Sequence, residues 1–397
     1  MSQPYVENVL LVGVVLGSTL SSEVEDNLKE LALLASSAGA RVAGVLTQRK
    51  ARPDPATFIG KGKAAEIAAQ VEALDVSCVI FDDDLSPSQV KNLEDLLDVR
   101  VMDRAWLILT IFALRARTEE ARVQVALAQH QYLLPRLTRR WTHLSRQEAA
   151  IGTRGLGEKQ LELDRREARK RIQKLQSDLA RIETAREQTQ RSHDYLPRVA
   201  ITGYTNAGKS TLYNALTSSA VLEGDFLFAT LDPRIARITR PTTLPLLLSD
   251  TVGFIRKLPH DLIAAFRSTL AEARTADVVL HVVDRSHPLH EEQEQVGLGV
   301  LDGLGVERER VLTVYNKADR VPELEGSSFP AISARTGQGL DALVNALEEK
   351  LLPGFRKAER LIPYSESHRV DAFKKNPMTV RISQEADGLK VEYWVRA

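Results

Sequence analysis

Residues 203–210 read Gly203-Tyr204-Thr205-Asn206-Ala207-Gly208-Lys209-Ser210. This octapeptide matches the pattern G-x-x-x-x-G-K-[ST], follows an apolar run at Val199–Thr202 and precedes a helix-forming segment that begins at Thr211. In such a loop the main chain wraps around phosphates, Lys209 reaches the β- and γ-phosphates, and the Ser210 hydroxyl ligates Mg²⁺. The stretch therefore predicts a phosphate-binding loop (P-loop) that joins a strand to a helix in an α/β domain.

Three shorter motifs follow, each after an apolar run of strand length. The carboxylate of Asp250 can hold Mg²⁺ through water, and the N–H of Gly253 can meet a γ-phosphate. The carboxylate of Asp319 can accept two hydrogen bonds from guanine that adenine cannot offer, and N–H groups after Ser333 would lie near guanine O6. The motifs are Asp250-Thr251-Val252-Gly253, Asn316-Lys317-Ala318-Asp319 and Ser333-Ala334-Arg335. Four motifs at the carboxyl ends of strands predict a guanine-nucleotide site, because open α/β sheets bind ligands there.

The N-terminal part of the chain has a different but related pattern. Strand-length apolar runs alternate with amphipathic segments between Val9 and Leu114, which predicts a small, mostly parallel α/β sheet. Two of its helices are expected to have Ser22 and Ser86 as N-caps, with Glu25 and Gln89 three residues on in capping-box position.

The region after Leu114 has the Arg-, Glu-, Gln- and Leu-rich composition of long helices. Apolar residues at spacings of 4, 3, 4 and 3 predict a coiled-coil seam, with Glu119–Leu134 as an antiparallel partner and the glycine-rich Ile151–Gly157 at or near the turn. The seam residues are Ala168, Ile172, Leu175, Leu179 and Ile182. Four domains are therefore predicted: an α/β domain at 1–114, a basic helical hairpin at 115–197, a P-loop domain at 198–352 and a short α+β domain at 353–397.

Charge is distributed unevenly along the 397 residues. The total is zero, from 53 basic and 53 acidic side chains, yet Arg115–Arg198 holds 19 Lys/Arg against 11 Asp/Glu, a net charge of +8. A solvated helix face with internal ion pairs is one interpretation, and contact with a nucleic-acid phosphate backbone is the other.

Composition excludes several classes of protein. The chain is 43% hydrophobic and 27% charged, which is typical of a globular protein. A single cysteine, Cys78, excludes a disulfide framework and indicates a cytoplasmic protein. No apolar run is long enough to span a membrane, and no basic segment indicates a secretory signal.

The motifs as a group resemble the HflX family of ribosome-associated GTPases, within the translation-factor-related class. The similarity covers most of the chain up to about residue 352. Besides the P-loop, it rests on Val123-Gln124-Val125-Ala126-Leu127-Ala128-Gln129, Tyr132-Leu133-Leu134-Pro135-Arg136-Leu137, Ile151-Gly152-Thr153-Arg154-Gly155, Glu162-Leu163-Asp164-Arg165-Arg166, Phe228-Ala229-Thr230-Leu231-Asp232-Pro233 and Asp250-Thr251-Val252-Gly253-Phe254-Ile255.

The resemblance implies roles for individual residues. Thr230 would be the switch I threonine that closes over Mg²⁺ and the γ-phosphate, so that Lys209, Thr230 and Gly253 form the catalytic set. Magnesium would be held by Ser210, Thr230 and Asp250, and Asn206 would coordinate K⁺. The nucleotide contacts would be Gly203, Tyr204, Thr205, Asn206, Ala207, Gly208, Lys209, Ser210, Thr211, Phe228, Thr230, Asp250, Gly253, Asn316, Lys317, Asp319, Ser333, Ala334 and Arg335.

The position after Gly253 bears on the rate of hydrolysis. Many GTPases place there a glutamine that orients the attacking water, whereas this chain has Phe254. We therefore expect slow intrinsic hydrolysis that rises with ribosomes or with K⁺.

The resemblance also implies partners and a role. The expected partners are the large ribosomal subunit and its rRNA, and no binding to DNA is expected. The protein is expected to be a monomer that acts in ribosome splitting, rescue or biogenesis. Two alternatives remain: a GTPase that remodels RNA or assists its modification, and a nucleotide-dependent scaffold without significant turnover.

Overall fold

The computed structural model describes residues 7–17, 19–137, 156–191, 196–217, 228, 234–251, 253–257, 272–321 and 331–397. These residues fall into two compact units. The first holds the described residues up to Ile182 together with Phe228 and Lys257, and the second holds the others. Within the described ranges, no helix is both long and apolar enough to cross a membrane.

The first unit contains a four-stranded sheet and the helices around it. Its strands are all parallel, in the order β2-β1-β3-β4, and one apolar cluster fills the space between β1, β3, α2 and α3. The elements are β1 Asn8–Leu16, α1 Ser21–Ser37, β2 Arg41–Lys50, α2 Lys61–Ala73, β3 Cys78–Phe81, α3 Pro87–Leu97, β4 Arg100–Asp103, α4 Arg104–Arg115 and α5 Glu119–Leu133.

Two predictions for helix starts in this unit had different outcomes. The capping box at Ser86 and Gln89 is confirmed, since each side chain bonds the other residue's main-chain N–H. The N-cap at Ser22 is wrong: α1 begins at Ser21, so Ser22 lies inside the first turn, and the cap position belongs to Leu20.

The long helix α6, Leu156–Arg191, carries the predicted seam. Leu175 is buried and the other four seam residues are half-buried, whereas most of the residues between them are exposed. Gly157 lies inside this helix, so only the first part of the glycine segment can form a turn. Residues 138–155, where the turn of the hairpin is predicted, lie outside the described residues.

The second unit is built on a five-stranded sheet in the order β6-β7-β5-β8-β9. All its pairs are parallel except the edge pair β6–β7. An apolar cluster on one face joins β5, β7 and β8 to α7 and α9. The elements are β5 Arg198–Gly203, α7 Lys209–Thr217, β6 Arg234–Arg237, β7 Leu247–Asp250, β8 Val278–Asp284, α8 His290–Gly303, β9 Val311–Asn316 and α9 Leu340–Leu351.

The C-terminal residues add an antiparallel sheet in the order β10-β12-β11. Two of its strands form a hairpin around Asp387-Gly388, with Glu385 and Gly388 as register partners. Phe355 and Met378 from this part belong to the same apolar cluster as β5 and β8, so it packs on the P-loop domain. The elements are β10 Phe355–Pro363, α10 Val370–Lys374, β11 Thr379–Glu385 and β12 Gly388–Arg396. The α/β architecture with a parallel-rich P-loop sheet is therefore as expected from the sequence.

Candidate nucleotide-binding and hydrolysis site

The P-loop follows β5 and leads into α7, as the sequence predicts. Gly203, the last residue of β5, has a φ of 140°, and a Cβ there would lie 2.2 Å from the carbonyl oxygen of Val282. Gly208 has a φ of 90°, and a Cβ there would lie 2.2 Å from Nδ2 of Asn316. A side chain at either position would be strained by the positive φ and would clash with its neighbours, so both positions need glycine. The loop therefore packs closely against β8 and β9.

Asn316 joins the P-loop to the predicted base-binding segment. Its Nδ2 donates to the carbonyl oxygen of Ala207 at 2.8 Å, and its Oδ1 accepts from the N–H of Ala334 at 3.0 Å. The side chain is buried, so both bonds are shielded from water. One amide thus holds three of the predicted motifs in fixed positions.

The two base-binding segments also meet each other. The Ser333 hydroxyl donates to Oδ1 of Asp319 at 2.6 Å, which lowers the pKa of that carboxyl and keeps it ionised. Asp319 remains exposed, so its second oxygen can accept from a ligand. An anionic acceptor with one oxygen already fixed is suited to guanine N1–H and the amine.

Lys317 is two residues before Asp319 in the same segment. Its ammonium forms an ion pair of 2.7 Å with Asp284 at the end of β8, and its φ of 65° is left-handed. Sequence reasoning missed Asp284, although a carboxylate at the end of a predicted strand was a usable signal.

Ser210 and Asp250 provide the oxygen atoms expected of a magnesium site. The Ser210 hydroxyl lies 3.3 Å from Oδ2 of Asp250, which is buried at the end of β7. Among the described residues no cluster of three His, Cys, Asp or Glu could form an all-protein metal site. One hydroxyl and one carboxylate fit Mg²⁺, which is usually held by few protein ligands together with substrate phosphates and water. Bound there, Mg²⁺ would neutralise charge on the β- and γ-phosphates.

Lys209 is buried, and its ammonium donates to the carbonyl oxygen of Tyr204 at 2.7 Å. Burial lowers the pKa of Lys209 to about 8, and the nearby Asp250 carboxylate opposes this shift. A Cβ on Gly253 would lie 2.7 Å from the same ammonium. The two groups predicted to contact the γ-phosphate are therefore adjacent.

The main chain of Phe254 continues this arrangement. Its N–H donates to the carbonyl oxygen of Gly203 at 2.9 Å, and its own carbonyl oxygen accepts from the N–H of Thr205 at 2.8 Å. The Phe254 side chain is buried, so it cannot orient an attacking water in this conformation. The aromatic side chain packs into the interior of the second unit.

The structure leaves several of the predicted contacts untested. Thr230 lies outside the described residues, so its three predicted roles stay predictions. Phe228 is buried in the first unit with its ring 4.6 Å from that of Phe112, in an edge-to-face contact. Asn206 is exposed, with a left-handed φ of 62° that asparagine tolerates, and Arg335 is exposed as well.

Three family models match consecutive parts of the chain. They are described as GTP-binding GTPase N-terminal at residues 25–113, GTP-binding GTPase Middle Region at 115–193 and 50S ribosome-binding GTPase at 198–317. The last of these covers the P-loop, the Asp250 motif and the start of the Asn316 motif.

Curated relatives align with nearly the whole chain. A GTPase HflX from Lacrimispora saccharolytica is 43% identical over 397 residues, covering 98% of this chain and 93% of the relative. A GTPase HflX from Escherichia coli is 46% identical over 344 residues, covering 84% and 80%. The crystal structure of SsGBP with GDP matches with a TM-score of 0.50 at 24% identity, covering 86% of this chain and 98% of that one, which supports the fold alone.

Proposed function

Because the chain belongs to the HflX family and is a GTP-hydrolysing enzyme, we propose that it acts on the large ribosomal subunit and separates stalled or idle ribosomes into subunits. The observation that carries the proposal is the match of residues 198–317 to ribosome-binding GTPases, on a domain whose P-loop, Asp250 and Asn316 motifs meet at one sheet edge. GTP would set the binding-competent conformation, and hydrolysis would end the interaction.

The site supports such a timed cycle. Phe254 offers no hydrogen bond to the attacking water, so hydrolysis would wait until a partner completes the site. Lys209 and the N–H of Gly253 would contact the γ-phosphate, Ser210 and Asp250 would hold Mg²⁺, and Thr230 would close over both. The basic hairpin, with its net charge of +8, would contact rRNA phosphates.

The test is sedimentation of the full chain with purified ribosomes in a GTP analogue, in GDP and without nucleotide. Comigration with the large subunit in the analogue alone, with loss of intact ribosomes, is the expected result. Equal binding in all three conditions would instead indicate a scaffold. Binding to free large subunits without any effect on intact ribosomes would indicate biogenesis, and binding to naked RNA alone would indicate RNA remodelling.

Potassium is the second proposed activator. Asn206 lies on the P-loop with its side chain exposed, where a K⁺ ion could neutralise charge between the phosphates as an arginine finger does. Turnover without ribosomes should fall when K⁺ is replaced by Na⁺, and an Asn206→Ala variant should lose that difference. Equal rates in the two salts would contradict K⁺ activation while leaving GTP hydrolysis intact.

A further inference from the structure

Buried polar side chains lie on one face of the central sheet in the second unit. Thr202 on β5 and His281 on β8 are register partners, so their side chains point to the same face, and both are fully buried. Their chain neighbours Ile201 and Val282 belong to the apolar cluster on the opposite face. The polar pair is therefore a feature of the face that α8 covers.

The imidazole of His281 lies between α8 and the residue after Gly253. A Cβ on Gly297 of α8 would lie 2.3 Å from Cε1 of the ring, so the helix has room for this imidazole because position 297 is glycine. The centroid of the Phe254 ring is 6.4 Å from that of His281. Any displacement of Phe254 therefore changes the surroundings of the imidazole.

The hydrogen-bonding capacity of this pair is unused. In the part of the chain that the structure describes, neither ring nitrogen of His281 nor the Thr202 hydroxyl has a hydrogen-bond partner. Burial, with the charge of Lys209, lowers the pKa of His281 to about 4. The main chain of Glu294 opposes this shift, although it forms no hydrogen bond with the imidazole ring. The ring is thus neutral near pH 7, and three buried polar atoms without partners make this conformation less stable.

The main chain of Gly253 lies against the Lys209 ammonium, since a Cβ there would be 2.7 Å from it. That ammonium donates to the carbonyl oxygen of Tyr204. A γ-phosphate contacted by both Lys209 and the Gly253 N–H would change this contact. Any shift of Gly253 would carry Phe254 with it, because Phe254 is the next residue in the chain.

We propose that Thr202 and His281 are positioning residues for the segment around Gly253. Their unsatisfied polar atoms destabilise the arrangement in which Phe254 pairs with the P-loop, and they gain hydrogen-bond partners when Gly253 moves to contact the γ-phosphate. The pair therefore favours the GTP-binding conformation. This concerns nucleotide binding and hydrolysis by the chain alone and does not depend on the ribosomal role.

The test uses the full chain with His281→Leu and, separately, the nearly isosteric Thr202→Val. Dissociation constants for GDP and for a non-hydrolysable GTP analogue, the melting temperature, kcat and KM are measured for each. We expect an unchanged or higher melting temperature, unchanged GDP affinity, and analogue affinity and kcat lower by about tenfold for His281→Leu. In the double variant, the loss of analogue affinity should be smaller than the sum of the two single losses, because both changes disrupt the same pair.

Thr217→Val is the matched control. Thr217 is similarly buried in the same unit, but its hydroxyl donates to the carbonyl oxygen of Tyr213 at 2.7 Å. This variant should lower the melting temperature and leave the ratio of analogue to GDP affinity unchanged.

If the role of the pair were purely structural, His281→Leu and Thr202→Val would behave like the Thr217→Val control. A lower melting temperature with a wild-type affinity ratio in His281→Leu and Thr202→Val would overturn the proposal. So would an unchanged affinity ratio at any melting temperature. If His281→Leu does not fold, the outcome for Thr202→Val decides alone.

Discussion

At the scale of single residues, Asp319 is the group proposed to select the base. Its carboxylate is ionised and held by the Ser333 hydroxyl. An Asp319→Asn variant loses the charge and replaces one acceptor by a donor. We expect GTP affinity to fall by about 100-fold and affinity for xanthosine triphosphate to rise, because xanthine has an acceptor where guanine has its amine.

Titration with fluorescent nucleotides measures this change. Asp341→Asn is the control, since Asp341 is exposed and pairs with Arg240 outside the site. If Asp319→Asn bound GTP as tightly as the control, the base-binding assignment would be wrong.

A second residue-scale prediction concerns pH and His281. Its folded pKa of about 4 is below the ordinary 6.5, so between these values the unfolded chain binds more protons than the folded one. Stability therefore falls as the pH drops from 6.5 towards 4, and His281→Leu removes this contribution. Lowering the pH from 8 to 5 should destabilise wild type by about 2 kcal/mol more than the variant.

Calorimetry of both proteins at the two pH values measures the difference. At pH 8 the imidazole is neutral in both states, so no proton-linked difference is expected there. Parallel loss of stability in the two proteins would show that the folded-state pKa of His281 is not lowered.

The sequence predicts residues of this site by motif and gives no signal for side chains that contribute through packing. Lys209, Asp250 and Asp319 were predicted because phosphate, metal and base chemistry need those side chains at those spacings. His281 has no such signal: an isolated histidine in an apolar strand gives no indication that Gly297, sixteen positions later, leaves space for its ring.

At the scale of elements, the contrast between buried and edge strands explains which ones the sequence predicted. β8 is buried throughout, and its sequence is apolar apart from His281 and Asp284. β6 and β10 are edge strands with exposed, largely charged sequences, so no apolar run marks them, and both were missed. Ala331 forms only an isolated bridge to Tyr315, where a strand was expected.

Two glycines in α8 give an element-scale prediction. A Cβ on Gly297 would meet the buried His281 ring, whereas a Cβ on Gly299 would have nothing within 4 Å. Alanine favours a helix over glycine by about 1 kcal/mol, so Gly299→Ala should stabilise the chain. Gly297→Ala should destabilise it by about 1–3 kcal/mol, because the overpacking outweighs that gain.

Melting temperatures of the two variants test this, each serving as control for the other. Equal stabilisation by both would show that the imidazole can move aside, and that α8 does not fix its position.

The junction of β4 and α4 gives a further element-scale prediction. Arg104 is fully buried and pairs with Asp82 at 2.6 Å and with Glu30. Removing its charge takes one buried cation away from Glu30 and from Asp82, which keeps its ion pair with Lys257, so Arg104→Met should cost about 3 kcal/mol. Arg100→Met, four residues earlier, breaks an exposed pair with Glu7 and should cost at most about 1 kcal/mol.

Urea unfolding of both variants measures the difference. A small effect of Arg104→Met would mean that the carboxylates become protonated or reach other partners, and the ion pairs would then not determine the stability of the first unit.

At the scale of the whole molecule, zero net charge hides a strongly basic segment. Arg115–Arg198 has a net charge of +8 in a chain whose total is zero, so the excess of positive charge is concentrated in one region. The described part of this region includes Arg166, Arg169 and Lys170, all exposed on α6. Phosphate contacts made there would release counterions and make ribosome binding depend on salt.

The last prediction separates this contribution from any general effect of charge. For about five phosphate contacts, doubling the KCl concentration should weaken binding of the analogue-bound chain to the large subunit by roughly 20-fold. Neutralising Arg166, Arg169 and Lys170 to Gln should reduce the slope of log affinity against log salt by about two to three, since each phosphate that is no longer neutralised lowers the slope by about one. Neutralising Arg356, Arg360 and Arg381, exposed on the C-terminal sheet, removes the same charge and should leave the slope unchanged. Equal slopes in both triple variants would assign the salt dependence to total charge and contradict a dedicated RNA-binding role for α6.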